Sequence, residues 1–333
     1  MPTEANKPNF TKTFSLALLP LIPFHLAASE LPTDIFDSLL SDKDFVGEVL
    51  ITQGGKPVYQ FESKPNSYLA GYENGGYLAG SISKQFVAAG ILRLVDEDKV
   101  SLDSQIIKLL PDAGIPGAVL IRHLLDHSSG LIAPDKPLAF VPGTGFRYSN
   151  YGYELLGKVL ESAHKQPLSE VLDGISKQCG LNQTGGELAL VQGRVEDAEG
   201  QFTTLPGTAE RPPLASGGLV SRAQDLARWN TCLYGSELLS EESFSYMISA
   251  TQSRNHRWGD LGYGAGIQIS RVIPLEYSHS GYVPGFISTL SYFPDEDISM
   301  VVLESTSWHW RDIPRAFRFH DELRKQLLVQ IQE

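Results

Sequence analysis

Three short stretches of this chain carry side chains able to do acyl-transfer chemistry. The first is GSISKQF, residues 80–86, where Ser81 precedes Lys84 by three positions. If a helix opens there, residues three apart share a face, and the serine hydroxyl lies at the positive end of the helix dipole. A lysine held in a low-dielectric, partly cationic place loses its proton near neutral pH and can act as a base towards a neighbouring hydroxyl. The spacing alone favours a plain polar helix start with a snorkelling lysine, and Ser162 to Lys165 repeats it late in an expected helix.

The second stretch is PGTGFRYSNYGYELLG, with Tyr148, Ser149 and Asn150 following a Pro-Gly turn. A tyrosine and an asparagine two apart on a loop can face one cleft, the first to relay a proton and the second to hold an amide and the lysine. For an isolated match the commoner arrangement is that Asn150 caps the following helix while Tyr148 packs. The third is YSHSGYVPGF, with His279, Ser280 and Gly281 along an expected strand. A glycine at that point lets another backbone approach closely.

The elements that must position these residues follow from periodicity. Residues 33–42 form an amphipathic helix, and 46–63 a hairpin turning at Gly54 and Gly55. Helical spacing runs from Ile82 to the DEDK segment, and helices are expected over 151–164, 167–178 and 312–332. Pro111, Pro116, Pro134, Pro137 and Pro142 break the region between into short helices and loops. Ser221 with Gln224 reads as a capping box. GYGAGIQIS, FISTLSYF and ISMVVLES read as strands. Sheet-forming segments at about 33–70 and 215–333 therefore bracket an α-rich region of about 85–210. The fold class is α+β, an antiparallel sheet drawn from both chain ends and flanked by helices.

Composition narrows the function. The 333 residues are 42% hydrophobic and 20% charged, enough to bury a substantial core, and the net charge of −12 with no Lys/Arg cluster argues against nucleic acid as a partner. Lys7 and Lys12, the apolar run Phe14 to Leu26, and Ala27, Ala28 and Ser29 form the layout of a signal peptide over 1–28. Pro20 and Pro23 interrupt that run, which is short for a stable membrane span. Export to the periplasm or the exterior is the expectation. Cys179 and Cys232 could pair in an oxidising compartment, although Cys232 also fits an apolar helical stripe. No spacing suggests a metal site or a cofactor.

SISK, YSN and HSG, in this order and at these separations, resemble the serine β-lactamase and penicillin-binding superfamily, in particular its class C β-lactamase and DD-peptidase branch. The connecting segments KVSLDSQIIKLLPD, IRHLLDHSSGL and SGGLVSRAQDLARW are similar to those of the family, and the resemblance spans about residues 33–306. It implies one β-lactamase/transpeptidase-like hydrolase domain over 30–333, with Ser81 as acylated nucleophile, Lys84 as its base and Tyr148 as second base and acid. It implies further that Asn150, His279, Ser280 and Gly281 bind substrate, and that the N–H groups of Ser81 and Tyr282 form an oxyanion hole. Histidine stands where class C β-lactamases have lysine, which resembles certain DD-peptidases and D-amino-acid peptidases. The loop Leu131 to Pro142 is short for the family. The implied activity is a secreted hydrolase of small amides or esters acting through an acyl-enzyme, a D-alanyl peptide foremost. A promiscuous carboxylesterase, a class C-like β-lactamase and a non-catalytic penicillin-binding sensor are the alternatives.

Overall fold

The computed structural model describes residues 31–332 apart from 32, 43, 64–74, 206–209, 236 and 237. The leader-like segment 1–28 lies outside these residues.

The main sheet has eight strands, in chain order β1 (Gly47–Gln53), β2 (Lys56–Glu62), β3 (Gln252–His256), β4 (Gly259–Tyr263), β5 (Gln268–Ile269), β6 (Tyr277–Val283), β7 (Phe286–Phe293) and β8 (Ile298–Glu304). Their spatial order is β2-β1-β8-β7-β6-β5-β4-β3, antiparallel throughout. The N-terminal hairpin is thus stitched to the last strand, from Gly47 opposite Glu304 to Gln53 opposite Ile298. A sheet made from both chain ends is what the apolar runs required.

Alternation along the strands sends side chains to two cores. Val49, Ile51, Met300 and Val302 face the terminal helices Thr33–Leu40 and Arg318–Gln332, where Phe36, Phe319 and Leu323 are fully buried. Leu50, Val301 and Leu303 face the opposite way, into the larger core around the Ser83–Asp96 helix. Because β8 is buried on both faces, its run ISMVVLE is continuous rather than alternating.

The Ser83–Asp96 helix is enclosed on nearly all sides, with Ser83, Lys84 and Gln85 as buried as Phe86 and Ile91. Helices Asn150–His164 and Leu168–Gln178 lie where the apolar spacing placed them. The Ala223–Tyr234 helix is keyed to the central one by Trp229, which stacks on Phe86 at 3.8 Å and donates to Gln85 Oε1 at 2.9 Å. Cys179 and Cys232 are bonded with Cα atoms 5.5 Å apart, joining the end of the Leu168–Gln178 helix to the Ala223–Tyr234 helix.

Two local expectations are corrected. The Ser221–Gln224 capping box does not form. Ser221 lies in a two-residue strand with its hydroxyl on Thr184, and the helix starts at Ala223, whose N–H is met by the Glu48 carboxylate at 3.0 Å. A carboxylate from β1 suits the dipole there better than a hydroxyl. GYGAGIQIS is two strand ends, β4 and β5, around a turn at Gly264 to Gly266.

Candidate active site

Ser81 occupies a single tight turn, Gly80–Ile82, that leads into the Ser83–Asp96 helix. The turn is pinned from several sides. Ala79 N–H donates to Leu219 O at 2.7 Å, Ala79 O accepts from Ser288 Oγ at 2.7 Å, and Gly80 O accepts from Ser83 Oγ at 2.7 Å. Gly80 has φ +54°, and a Cβ there would stand 2.8 Å from Gly281 Cα and 3.2 Å from Tyr282 N. One on Gly281 would stand 2.5 Å from Ala79 O. Both glycines are therefore needed for the Ser81 turn and β6 to touch, which brings together the segments carrying the N–H groups of Ser81 and Tyr282.

Lys84 is fully buried one turn on. Its ammonium donates to Ser81 Oγ at 3.1 Å, Asn150 Oδ1 at 2.9 Å and the Ser216 carbonyl at 2.6 Å. Burial, helped by the positive charge of Arg254 and opposed by Glu154, brings its pKa from 10.5 down to about 7. The snorkelling alternative is excluded, since the lysine's head lies inside the protein among three acceptors.

Asn150 is free to hold Lys84 because Ser149, not Asn150, caps the following helix, its hydroxyl accepting from Gly152 N–H at 3.1 Å. Tyr148 puts its ring 4.9 Å from Lys84 Nζ and 5.0 Å from the Arg254 guanidinium carbon. Its hydroxyl is buried without a well-formed hydrogen bond, beside the Ser81 hydroxyl. Burial pushes the phenol up to about 12, against the downward pull of Ser81 and Arg254.

His279 departs from the cleft-facing placement. It is fully buried, with Nε2 3.0 Å from Tyr263 OH and Nδ1 2.9 Å from Ser280 O. Tyr263 OH is also 3.2 Å from His127 Nε2, and His127 Nδ1 accepts from Ser149 N–H at 3.2 Å. The donors assign the tautomers. His127 Nδ1 is an acceptor, so Nε2–H donates to Tyr263, Tyr263 donates to His279 Nε2, and His279 Nδ1–H donates to Ser280 O. Burial and the nearby charge of Lys84 hold both histidines well below the usual range, hence neutral. This one-way chain ties the YSN loop to β6 and leaves His279 no nitrogen for a substrate.

Ser280 is half-buried, and its hydroxyl accepts from Arg257 Nη2 at 3.1 Å. Arg257 is itself paired with Asp321 at 2.8 Å. Arg257 and four further participants were not singled out from the sequence. His127 and Tyr263 sit within segments read only as connection and strand, the Ser216 carbonyl is backbone, and Arg254 belongs to β3, whose sequence QSRNH is wholly polar.

No helix among the described residues is long and apolar enough to cross a membrane, and no cluster of His, Cys, Asp and Glu among them could hold a metal ion.

The geometry agrees with what the chain is similar to. Penicillin-binding protein 4* of Bacillus subtilis (strain 168) is 25% identical over 323 residues, covering 81% of this chain and 70% of that protein. Esterase EstB of Burkholderia gladioli is 27% identical over 195 residues, covering 45% of this chain and 50% of that one. Among solved structures, D-amino acid amidase from Ochrobactrum anthropi SV3 superposes with a TM-score of 0.74 at 19% identity, covering 90% of this chain and 98% of that one. The Beta-lactamase family model matches residues 35–320, and the chain accordingly belongs to the Beta-lactamase family, as a serine hydrolase of the β-lactamase/transpeptidase fold.

Proposed function

We propose that the protein is an exported hydrolase that cleaves a D-alanyl peptide, or a closely similar small amide, through an acyl-enzyme on Ser81. The observation that carries this reading is the buried Lys84 ammonium on Ser81 Oγ, with a pKa of about 7. Neutral Lys84 accepts the Ser81 proton as Oγ attacks the carbonyl carbon, and the N–H groups of Ser81 and Tyr282 take the developing oxyanion. Tyr148, at about 12, keeps its proton at neutral pH. It therefore serves as the acid that protonates the departing amine, and after water enters in place of that amine the same groups run the step in reverse. Asn150 Oδ1 is committed to Lys84, which leaves its amide N–H groups for a substrate carbonyl.

The penicillin-binding relative supports a peptide, the amidase neighbour a D-configured amide and the esterase relative an ester, so all three substrate types belong in one comparison. Export is supported by the leader pattern and by the Cys179–Cys232 disulfide, a bond that persists in oxidising compartments. The test is covalent labelling by a fluorescent penicillin beside hydrolysis of acyl-D-alanyl-D-alanine, a D-amino acid amide and a nitrophenyl ester. The adduct is expected on the peptide holding Ser81, with Ser81→Ala losing both label and turnover. An adduct at Ser83 or Ser162 overturns the assignment, and turnover of the ester alone replaces the peptide reading with a carboxylesterase.

A further inference from the structure

Strand β6 ends on a fixture that the acylation chemistry does not use directly. A two-residue turn makes Val283 and Phe286 a hydrogen-bonded pair, and alternation makes the next pair, Tyr282 with Ile287, the open kind. The Tyr282 N–H therefore points away from β7, on the side where a Cβ on Gly80 would stand 3.2 Å from its nitrogen. Among the described residues no strand takes it there, since β5 pairs only with Tyr277 and Ser278. Such a donor is only as well aimed as the strand end that carries it, and Pro284 in the adjoining turn is exposed.

The side chain of Tyr282 points the other way, onto Ile287, Trp308, Ala316 and Phe317. There its hydroxyl donates to the Trp308 carbonyl. Burial raises the phenol above its ordinary value, so it keeps the proton it donates. The carbonyl itself is held from both sides. Ahead of it, Ser305 N–H donates to Val46 O at 2.8 Å, and Thr306 and Ser307 run parallel to Arg194 and Val195. The Trp308 ring is buried with Nε1 on Glu304 Oε1 at 3.0 Å, and the next residue, His309, gives its N–H to Glu196 Oε2 at 2.9 Å. Ser307 Oγ also accepts from Gly285 N–H in the turn, at 2.8 Å. Segment 305–309 is thus a fixed rail, and Tyr282 ties the end of β6 to it.

We propose that Tyr282 is a positioning residue for its own backbone: the hydroxyl, anchored on the Trp308 carbonyl, fixes where the N–H of the same residue points and so sets the oxyanion hole that it shares with Ser81. This rests on the acyl-enzyme reading and gives the side chain a part in it. Without the anchor the strand end can rock, and the hydrogen bond that strengthens as charge gathers on the carbonyl oxygen is the first to weaken. Ground-state binding makes little use of that charge and should be spared.

The test is Tyr282→Phe, which removes one oxygen and keeps the packed ring. Labelling by a fluorescent penicillin gives three readings: the limiting acylation rate, the concentration for half that rate, and the final amplitude. The limiting rate should fall ~10- to 100-fold, short of the loss of about 10²- to 10³-fold expected from removing a donor outright, with half-saturation unchanged. Phenylboronic acid, whose tetrahedral adduct on Ser81 puts an oxygen in the same hole, should bind more weakly by a similar factor. An unfolded fraction lowers the amplitude and leaves the rate alone. A limiting rate equal to wild type, whatever the amplitude, overturns the proposal. So does a loss confined to half-saturation, or a slower rate with unchanged boronate binding. Wild type that takes no label, or Ser81→Ala that still does, would overturn the acyl-enzyme reading itself, a result that no difference in rate between labelled proteins can mimic.

Discussion

Replacing Tyr263 by Phe tests the hydrogen-bonded chain that joins the YSN loop to β6. The change removes one oxygen and keeps the ring, which packs 4.9 Å from His127 and 5.5 Å from Phe146. That oxygen accepts from His127 and donates to His279, at 3.2 and 3.0 Å. Without it, a buried N–H and a buried ring nitrogen both lack partners, and neither histidine has solvent access. Each orphaned group costs ~1–3 kcal/mol, so the variant should lose about 2–6 kcal/mol. For a domain of this size that is a fall in Tm of about 5–15 °C. Differential scanning calorimetry reads the shift in Tm directly. Turnover should fall as well, because Ser149 lies between Tyr148 and Asn150, and Ser280 between His279 and Gly281. Loosening either end moves the proton donor or the oxyanion segment relative to Ser81. A Tm within about 1 °C of wild type would refute the reasoning, showing that the two histidines find other partners or that the chain carries no stability.

Two further outcomes follow from buried ionisable groups. Lys84 acts as a base only when neutral, so acylation kcat/KM should climb with pH through about 7 and then level, and Lys84→Met should lower it at least ~1,000-fold as the base is lost; stopped-flow acylation across pH 5–9 checks both. Glu304 is fully buried, with Oε1 accepting from Trp308 Nε1 at 3.0 Å and Oε2 3.5 Å from His320 Nε2, and burial raises its carboxyl to about 8. The unfolded carboxyl ionises near 4.5 while the folded one keeps its proton to about 8, so wild type loses stability as pH rises across that window. Glu304→Gln keeps the Trp308 bond without that loss, so its stability relative to wild type should grow between pH 5 and pH 8 by a few kcal/mol, read from urea midpoints at each pH; an unchanged difference would mean Glu304 is ionised in the fold.

The parts of this molecule that could be read from sequence are those whose cause is local. Ser81 and Lys84 are three apart, and a turn running into a helix suffices to bring them together. The hairpin over 46–63 and the helices at 150–164 and 168–178 rest on spacing and turn residues within a few positions. Long-range pairing was less visible. The Ala223 helix start looked capped by Ser221, but a carboxylate 175 residues away in the chain takes the place. His279 looked like a ligand for substrate because the sequence has no way to show that Tyr263 and the Ser280 carbonyl would occupy both its nitrogens. Strand β3 escaped notice for a related reason. At the far edge of the sheet it needs no apolar face, so QSRNH lacks the alternation that marks a half-buried strand, and Arg254 was hidden with it.

The distribution of charge at the site bears on the acyl-enzyme reading. Five basic side chains converge there: Lys84, His127, His279, Arg254 and Arg257. The two histidines are held neutral by burial and by their neighbours, and Lys84 loses its proton near neutral pH for the same reasons. Arg257 is neutralised by Asp321. At the pH where Lys84 can serve as a base, Arg254 is therefore the one cation of the five left without a counter-charge. Its field helps to keep Lys84 deprotonated while no substrate is bound. A charge that neutralised Arg254 would raise the Lys84 pKa, making the amine a stronger base but leaving less of it neutral at pH 7. The charge of Arg254 and the pH at which Lys84 becomes a base are thus coupled.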